Sequence, residues 1–184
     1  MIPLLVFGLL AATFLVLAAS LYNRLIFLKN QCDKAWFNID VLLKQRHDEI
    51  PKLVAVCEGS KKFEQETLTQ VIAARNIAVS ATGSPAARAQ AEGGLSTALG
   101  KLFAVAEAYP DLKTTALFAQ LSARVSQLES ELADRREFYN DAVMTHNVAI
   151  ESVPANVIAG YAGMRVRELF KVAESDKSDV TIKF

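Results

Sequence analysis

The sequence predicts an all-α protein, an N-terminal transmembrane helix continuous with a long-helix antiparallel bundle. Three observations lead there. No charged side chain occurs before Arg24; the apolar run then passes, without Gly or Pro, into a segment with apolar positions alternating three and four apart; and a later stretch repeats the same seven-residue pattern over about 35 residues.

The opening run is long enough to cross a bilayer. Ile2 to Tyr22 as a helix spans about 32 Å, against a hydrocarbon core of about 30 Å. Twelve of these residues are Leu, Ile, Val or Phe, a nominal insertion energy of roughly −4 to −7 kcal/mol. Pro3 falls in the first turn, where a missing N–H matters least, and Gly8 is tolerated in spanning helices. A cleaved signal peptide is the competing reading, with Ala18-Ala19-Ser20 as cleavage site; the absent basic n-region and the length of the apolar run favour an anchor. Only the α-amino group precedes the span, whereas Arg24, Lys29 and Lys34 follow it, which predicts an outside N-terminus and a cytoplasmic bulk.

Leu21, Leu25, Leu28, Cys32, Ala35, Ile39 and Leu42 form a seam on the helix leaving the membrane, with Trp36 beside it. A kink or a short break is expected around Asp48 to Pro51, after which the helix continues to about Ser80. Thr82-Gly83-Ser84-Pro85 is a loop in which Ser84 and Pro85 read as N-cap and first helical residue. A second helix is expected from Pro85 to Ala108, with Leu95, Leu99, Leu102, Ala106 and Tyr109 on one stripe. Tyr109-Pro110-Asp111 ends it, because the residue before proline is pushed out of the α region. The third helix starts near Asp111 or Thr115 and runs to Pro154, with Phe118, Val125, Leu132, Tyr139, His146 and Val153 in one register and Leu121, Leu128, Arg135, Ala142 and Ala149 in another. A shorter helical piece broken by Gly160 and Gly163 follows over Ala155 to Val172, then a polar stretch over Ala173 to Asp179 and an alternating tail, Val180 to Phe184, expected as a short strand or a frayed end.

The net charge is zero, so bulk electrostatics suggest neither nucleic-acid binding nor a polybasic membrane patch. Cys32 and Cys57 are too few for a disulfide framework and read as small buried hydrophobes. His47 and His146 lack metal-ligand spacing. His47-Asp48-Glu49, three adjacent residues pointing apart on a helix, reads as a solvated face, and His146 as a hydrogen-bonded core histidine. Arg46 and Arg135 interrupt apolar seams, and a buried arginine needs partners. The expectation is a buried polar network of Arg46 and Arg135 with Asp40, Glu107 and Asp134, with Tyr109 beside it, fixing bundle register.

Leu21-Tyr22-Asn23-Arg24-Leu25, Ala35-Trp36-Phe37-Asn38-Ile39-Asp40-Val41 with Lys44-Gln45-Arg46, Ile50-Pro51-Lys52-Leu53-Val54, Glu107-Ala108-Tyr109-Pro110-Asp111-Leu112-Lys113 and Arg135-Arg136-Glu137-Phe138-Tyr139-Asn140-Asp141-Ala142-Val143 resemble, in that order, the motifs of the LemA family. The family's usual Phe before the proline is Val153 here, and the pattern departs after Gly160. The resemblance implies a bacterial single-pass membrane protein with a helical-bundle domain and no established catalytic activity. The organisation expected is an anchor over 1–23, a LemA-like bundle over 24–160 and a C-terminal segment over 161–184.

The function expected is that of a non-enzymatic scaffold or adaptor at the bacterial inner membrane. It needs no cofactor and no metal; its partners are the lipid bilayer, further copies of itself and another membrane protein, with no nucleic acid. The homo-oligomer is expected to pack along Leu21, Leu25, Leu28, Cys32, Ala35, Trp36, Ile39 and Leu42, whose stripe leaves the bilayer still apolar. The alternative is a ligand-binding module with a polar pocket of Arg46, Glu107, Tyr109 and Arg135, for which the sequence offers no nucleophile and no oriented base. An ion-conducting oligomer is disfavoured because the span has no ionisable side chain.

Overall fold

A computed structural model describes residues 1–60 and 63–171. Among them the fold is all-α, with six helices: α1 (Ile2–Glu58), α2 (Gln65–Ser80), α3 (Pro85–Ala106), α4 (Pro110–Lys113), α5 (Ala116–Glu151) and α6 (Ala155–Tyr161). The expected polar stretch over Ala173 to Asp179 and the tail over Val180 to Phe184 lie outside the described residues.

Two local boundaries differ from expectation. The first helix passes through Pro51 unbroken and ends at Glu58, and a separate α2 begins at Gln65. The helical piece after Pro154 ends at its glycines, as the sequence indicates, but does not resume over 164–171: α6 stops at Tyr161, where Gly163, at φ 65°, supplies the left-handed residue that closes the helix and Met164 N–H reaches back to the carbonyl of Ala159 at 3.0 Å. The start of α3 is as the sequence indicates. Ser84 accepts from Ala87 N–H at 3.2 Å, and Pro85 occupies the first turn.

The chain divides into two compact units. The first comprises Met1–Phe37 and Glu137–Arg167. Its α1 segment is exposed throughout Met1 to Leu17, and Thr13, the hydroxyl within that run, donates to the carbonyl of Leu9 at 2.9 Å. Further along, Leu25 clusters with Ile150 and Ala159, and Trp36 meets Tyr139 with ring centroids 5.2 Å apart, so α1 ascends as α5 descends. Cys32, Tyr139, Val143 and His146 are buried, His146 facing the side chain of Asn147 at 3.3 Å. The amide of Asn147 clasps the backbone of Arg167 by two hydrogen bonds of 2.9 Å, and the Arg167 guanidinium pairs with Asp33 at 2.6 Å.

The second unit comprises, of the described residues, Asn38–Arg136 and Glu168–Lys171. Its core contains Ile50, Leu53, Cys57, Leu68 and Val71 with Leu95, Leu99, Leu102, Phe118, Leu121 and Val125. Along α5 the buried positions run Leu121, Val125, Leu128, Leu132, then Tyr139, Val143, His146 and Ile150. Between Leu132 and Tyr139 the pattern takes two steps, four then three, through Arg136, after a four-residue step to Leu132. The extra four is a stutter that carries the seam off the strict heptad. Arg135 is therefore turned outward, and Arg136 takes the half-buried place, stacked 5.0 Å from the ring centre of Phe170. A similar step in α1 makes Leu43 the buried residue after Ile39, in place of Leu42.

Candidate functional site, a buried ionic cluster

Arg46 is the largest fully buried side chain of the second unit, and its guanidinium is the centre of a closed ionic cluster. Nη2 donates to Oε2 of Glu92. Nη1 donates to Oε1 of Glu129 and, at 3.2 Å, to Ser96 Oγ, which itself donates to the same Glu129 oxygen at 2.7 Å. The remaining oxygen of Glu92, Oε1, meets His47 Nε2 at 3.0 Å. One arginine thus joins α1 to α3 through Glu92 and Ser96, four residues apart on one helix face, and to α5 through Glu129.

The electrostatics follow from burial and partnership. Glu92 is fully buried. Desolvation alone would raise its pKa, but the hydrogen bond from His47, the charge of Arg46 and the charge of His47 outweigh it and hold the carboxyl below its ordinary value. An unpartnered charge at this depth would be far costlier than the pair. The backbone beneath the cluster is satisfied as well: Arg75, from α2, donates through Nε to the carbonyl of His47 at 2.9 Å.

The network expected from the sequence is redrawn. Arg46 is buried, but its carboxylates are Glu92 and Glu129. Asp40 pairs instead with Arg88 at 2.5 Å, Glu107 pairs with Lys113 on an exposed face, and Tyr109 packs against Phe63 with ring centroids 5.2 Å apart. Asp134 and Arg135 are exposed on α5. The pocket of Arg46, Glu107, Tyr109 and Arg135 is therefore not assembled: Arg46 spends both terminal nitrogens on other groups. His47, expected on a solvated face, is buried and bonded to Glu92, whereas Asp48 is exposed and Glu49 pairs with Lys52 at 2.9 Å.

The sequence carries a signal for Glu92. It stands three residues before Leu95, on the stripe continued by Leu99, Leu102 and Ala106, and so occupies a core position that a carboxylate takes only with a partner. Glu129 and Ser96 carry no such signal, since both flank their stripes.

The stripe expected as an oligomer interface is buried by the chain itself at Leu25, Cys32 and Ile39, and Leu21, Leu28, Ala35, Trp36 and Leu42 are half-buried. Leu25, Cys32 and Ile39 belong to the core. The exposed large apolar side chains of the same stretch are Tyr22, Phe27, Phe37 and Val41. Both cysteines are free thiols, fully buried; burial pushes Cys57 up to about 11, with a smaller contribution from Glu58, and raises Cys32 despite Arg167 nearby.

Fold and cluster together define a class: an all-α protein in which one helix, long and apolar enough at its N-terminal part to cross a membrane, continues into a bundle locked by buried charges. The chain belongs to the LemA family, whose model matches residues 35–184. It is 28% identical over 162 residues, 86% of its length, to Protein LemA of Metamycoplasma hominis, covering 72% of that protein. It is also 36% identical over 81 residues to Magnetosome protein MamQ 2 of Paramagnetospirillum magneticum, and 32% identical over 80 to Magnetosome protein MamQ of Magnetospirillum gryphiswaldense. Each of these two matches takes 44% of this chain and spans 30% and 29% of the respective relative. Neither name is that of an enzyme.

Proposed function

We propose that this protein is a single-pass, non-enzymatic scaffold or adaptor of the bacterial inner membrane, holding a rigid helical bundle on the cytoplasmic side and organising further copies of itself or another membrane protein there. The observation that carries the reading is α1. Its first part is uncharged and wholly exposed, a surface suited to lipid, and the same helix then supplies Leu25, Cys32, Ile39, Leu43, Ile50 and Leu53 to the buried interior. Arg24, Lys29 and Lys34 after the span favour a cytoplasmic bundle. The names of the magnetosome relatives support a role at membranes.

The buried cluster supports a structural part for the bundle. Both terminal nitrogens of Arg46 are engaged by two carboxylates and a hydroxyl from two other helices, the arrangement of a register lock. Because the Leu25 stripe is occupied internally, assembly falls to the outward residues, the span itself with Phe27 and Phe37, which are 59% and 66% exposed.

The test is mass measurement of complexes extracted from native membranes, joined to cysteine crosslinking. Crosslinks between copies from Phe27→Cys and Phe37→Cys, absent from Leu25→Cys, and a mass above that of one chain are expected. A detergent-bound monomer at all concentrations, with no second protein attached, overturns the scaffold reading.

A further inference from the structure

We propose that the end of α5 and helix α6 form a second membrane contact, in which Val153, Val157 and Tyr161 lie in the headgroup layer of an anionic bilayer beside the point where α1 leaves it. The proposal rests on the reading of Ile2 to Tyr22 as a spanning segment.

The first unit brings this end of the chain back to the residues that follow the span. Leu21 and Arg24 line one cleft with Val153, Pro154 and Ala155. Tyr22, Ile26 and Lys29 line another with the segment from Ala162 to Arg167. A helix rises 1.5 Å per residue, so Leu21 to Leu28 lie within about 10 Å of the end of the span. The headgroup region adds roughly 5–8 Å to each side of the hydrocarbon core. Whatever touches Leu21 and Arg24 from the side therefore stands at headgroup level.

What stands there is apolar and, among the described residues, uncovered. Val153 is 82% exposed, Val157 58% and Tyr161 92%. Val157 and Tyr161 are four apart on α6, hence on one face, and Val153 lies in the turn that leads into that helix. Tyr22, half exposed, is a second aromatic at the same level, and tyrosine suits a place where one end of the ring is in lipid and the other in water. The flanking charges complement anionic lipid: Arg24, Lys29 and Arg165 are all exposed, against exposed Glu151 at the end of α5 and Glu168, with Asp33 taken up by Arg167. An apolar tip with a basic flank is the composition of an interfacial element. The element is held in place from below, since Asn147 fixes the backbone of Arg167 and Met164 packs against the cluster of Leu25, Ile150 and Ala159.

The experiment places an environment-sensitive fluorophore on the full chain at Val157→Cys, with Tyr161→Cys as a second position in case the first disturbs the helix. Leu10→Cys marks the span and Gln127→Cys an exposed site on the second unit. Unsubstituted protein, whose two thiols are buried, gives the background. The proteins are reconstituted in phosphatidylcholine vesicles with or without phosphatidylglycerol, carrying nitroxide quenchers in the headgroup or deep in the chains. The expected result is loss of most emission at Leu10 with deep quenchers and at Val157 and Tyr161 with headgroup quenchers, more strongly when phosphatidylglycerol is present, and none at Gln127. If Leu10 is quenched while Val157 and Tyr161 behave as Gln127 does, the second contact is overturned and the anchor stands; a second copy, or residues 172–184, covering this face would give that result. If Leu10 is not quenched, the anchor reading fails and takes the proposal with it. Equal quenching in the two lipid mixtures overturns the part assigned to the basic flank.

Discussion

Arg75 donates its Nε–H to the backbone carbonyl of His47 at 2.9 Å, and that carbonyl is the one Pro51 has no N–H to reach. In a helix each N–H bonds the carbonyl four residues back, so a proline at 51 leaves residue 47 as the orphaned acceptor. A guanidinium from α2 fills the gap, which accounts for an α1 that runs through Pro51 where the sequence suggests a break.

This relationship gives a thermodynamic cycle. Arg75→Ala should destabilise the protein by about 1–2 kcal/mol, the cost of a buried acceptor left without its donor. In a Pro51→Ala background, where the substituted residue regains an N–H to bond the His47 carbonyl, the same change should cost distinctly less. Denaturant melts of the four proteins in detergent check this; equal losses in both backgrounds would show that Arg75 is not standing in for the missing helix bond.

Arg46 and Glu92 give a second cycle. Arg46→Met leaves Glu92 buried without its guanidinium and should cost about 3–5 kcal/mol. The double change Arg46→Met with Glu92→Met removes both charges and should recover part of that loss. Thermal melts followed by circular dichroism measure the coupling. A double variant as unstable as the sum of the single changes would mean that the two charges act independently.

Acid should unlock the second unit through Glu92. Its folded pKa lies below the ordinary carboxylate value, so the unfolded state takes up the proton first. Its contribution to stability is complete above the unfolded value, about 4.3, and is lost as pH falls through the folded value. Glu92→Gln should flatten the acid limb of a plot of stability against pH, at some loss of stability near neutrality. An acid limb unchanged by the substitution would place the sensitivity in other carboxylates.

The thiols should be silent until the fold opens. Cys57, pushed up to about 11 and fully buried, and Cys32, also raised and buried, present no thiolate near neutral pH. Maleimide labelling of the native protein should be negligible and should reach both cysteines in denaturant. Prompt labelling under native conditions would show that α1 opens locally.

The helices are largely legible in the sequence because their signals are local. The apolar run needs no partner to be read, Ser84-Pro85 announces the start of α3 by capping chemistry alone, and three-four spacing marks the seam wherever it is regular. Local reading fails where a distant residue decides. Pro51 looks like a breaker unless Arg75 is known to sit over His47. Arg135 looks like a core charge until the stutter before Tyr139 hands the seam to Arg136, a shift of about 100° per residue that a strict heptad count cannot register. The partners of Arg46 escape sequence reading for the same reason: which of several carboxylates faces it depends on how α3 and α5 are rotated. The stripe from Leu21 to Leu42 is apolar as the spacing indicates, but apolarity does not say whether the covering surface belongs to the same chain.

Arg46 and His47 are adjacent, yet between them they bind three other helices: α3 through Glu92 and Ser96, α5 through Glu129, and α2 through Arg75. A shaft keyed on three sides at one level has a fixed azimuth. Flexing of α1 away from that level leaves the key engaged, whereas twisting about its own axis at residues 46–47 would have to shear every one of these bonds together. The second unit is therefore built to hold this helix at a set angle, a property suited to a fixed mount and unsuited to a rotary relay.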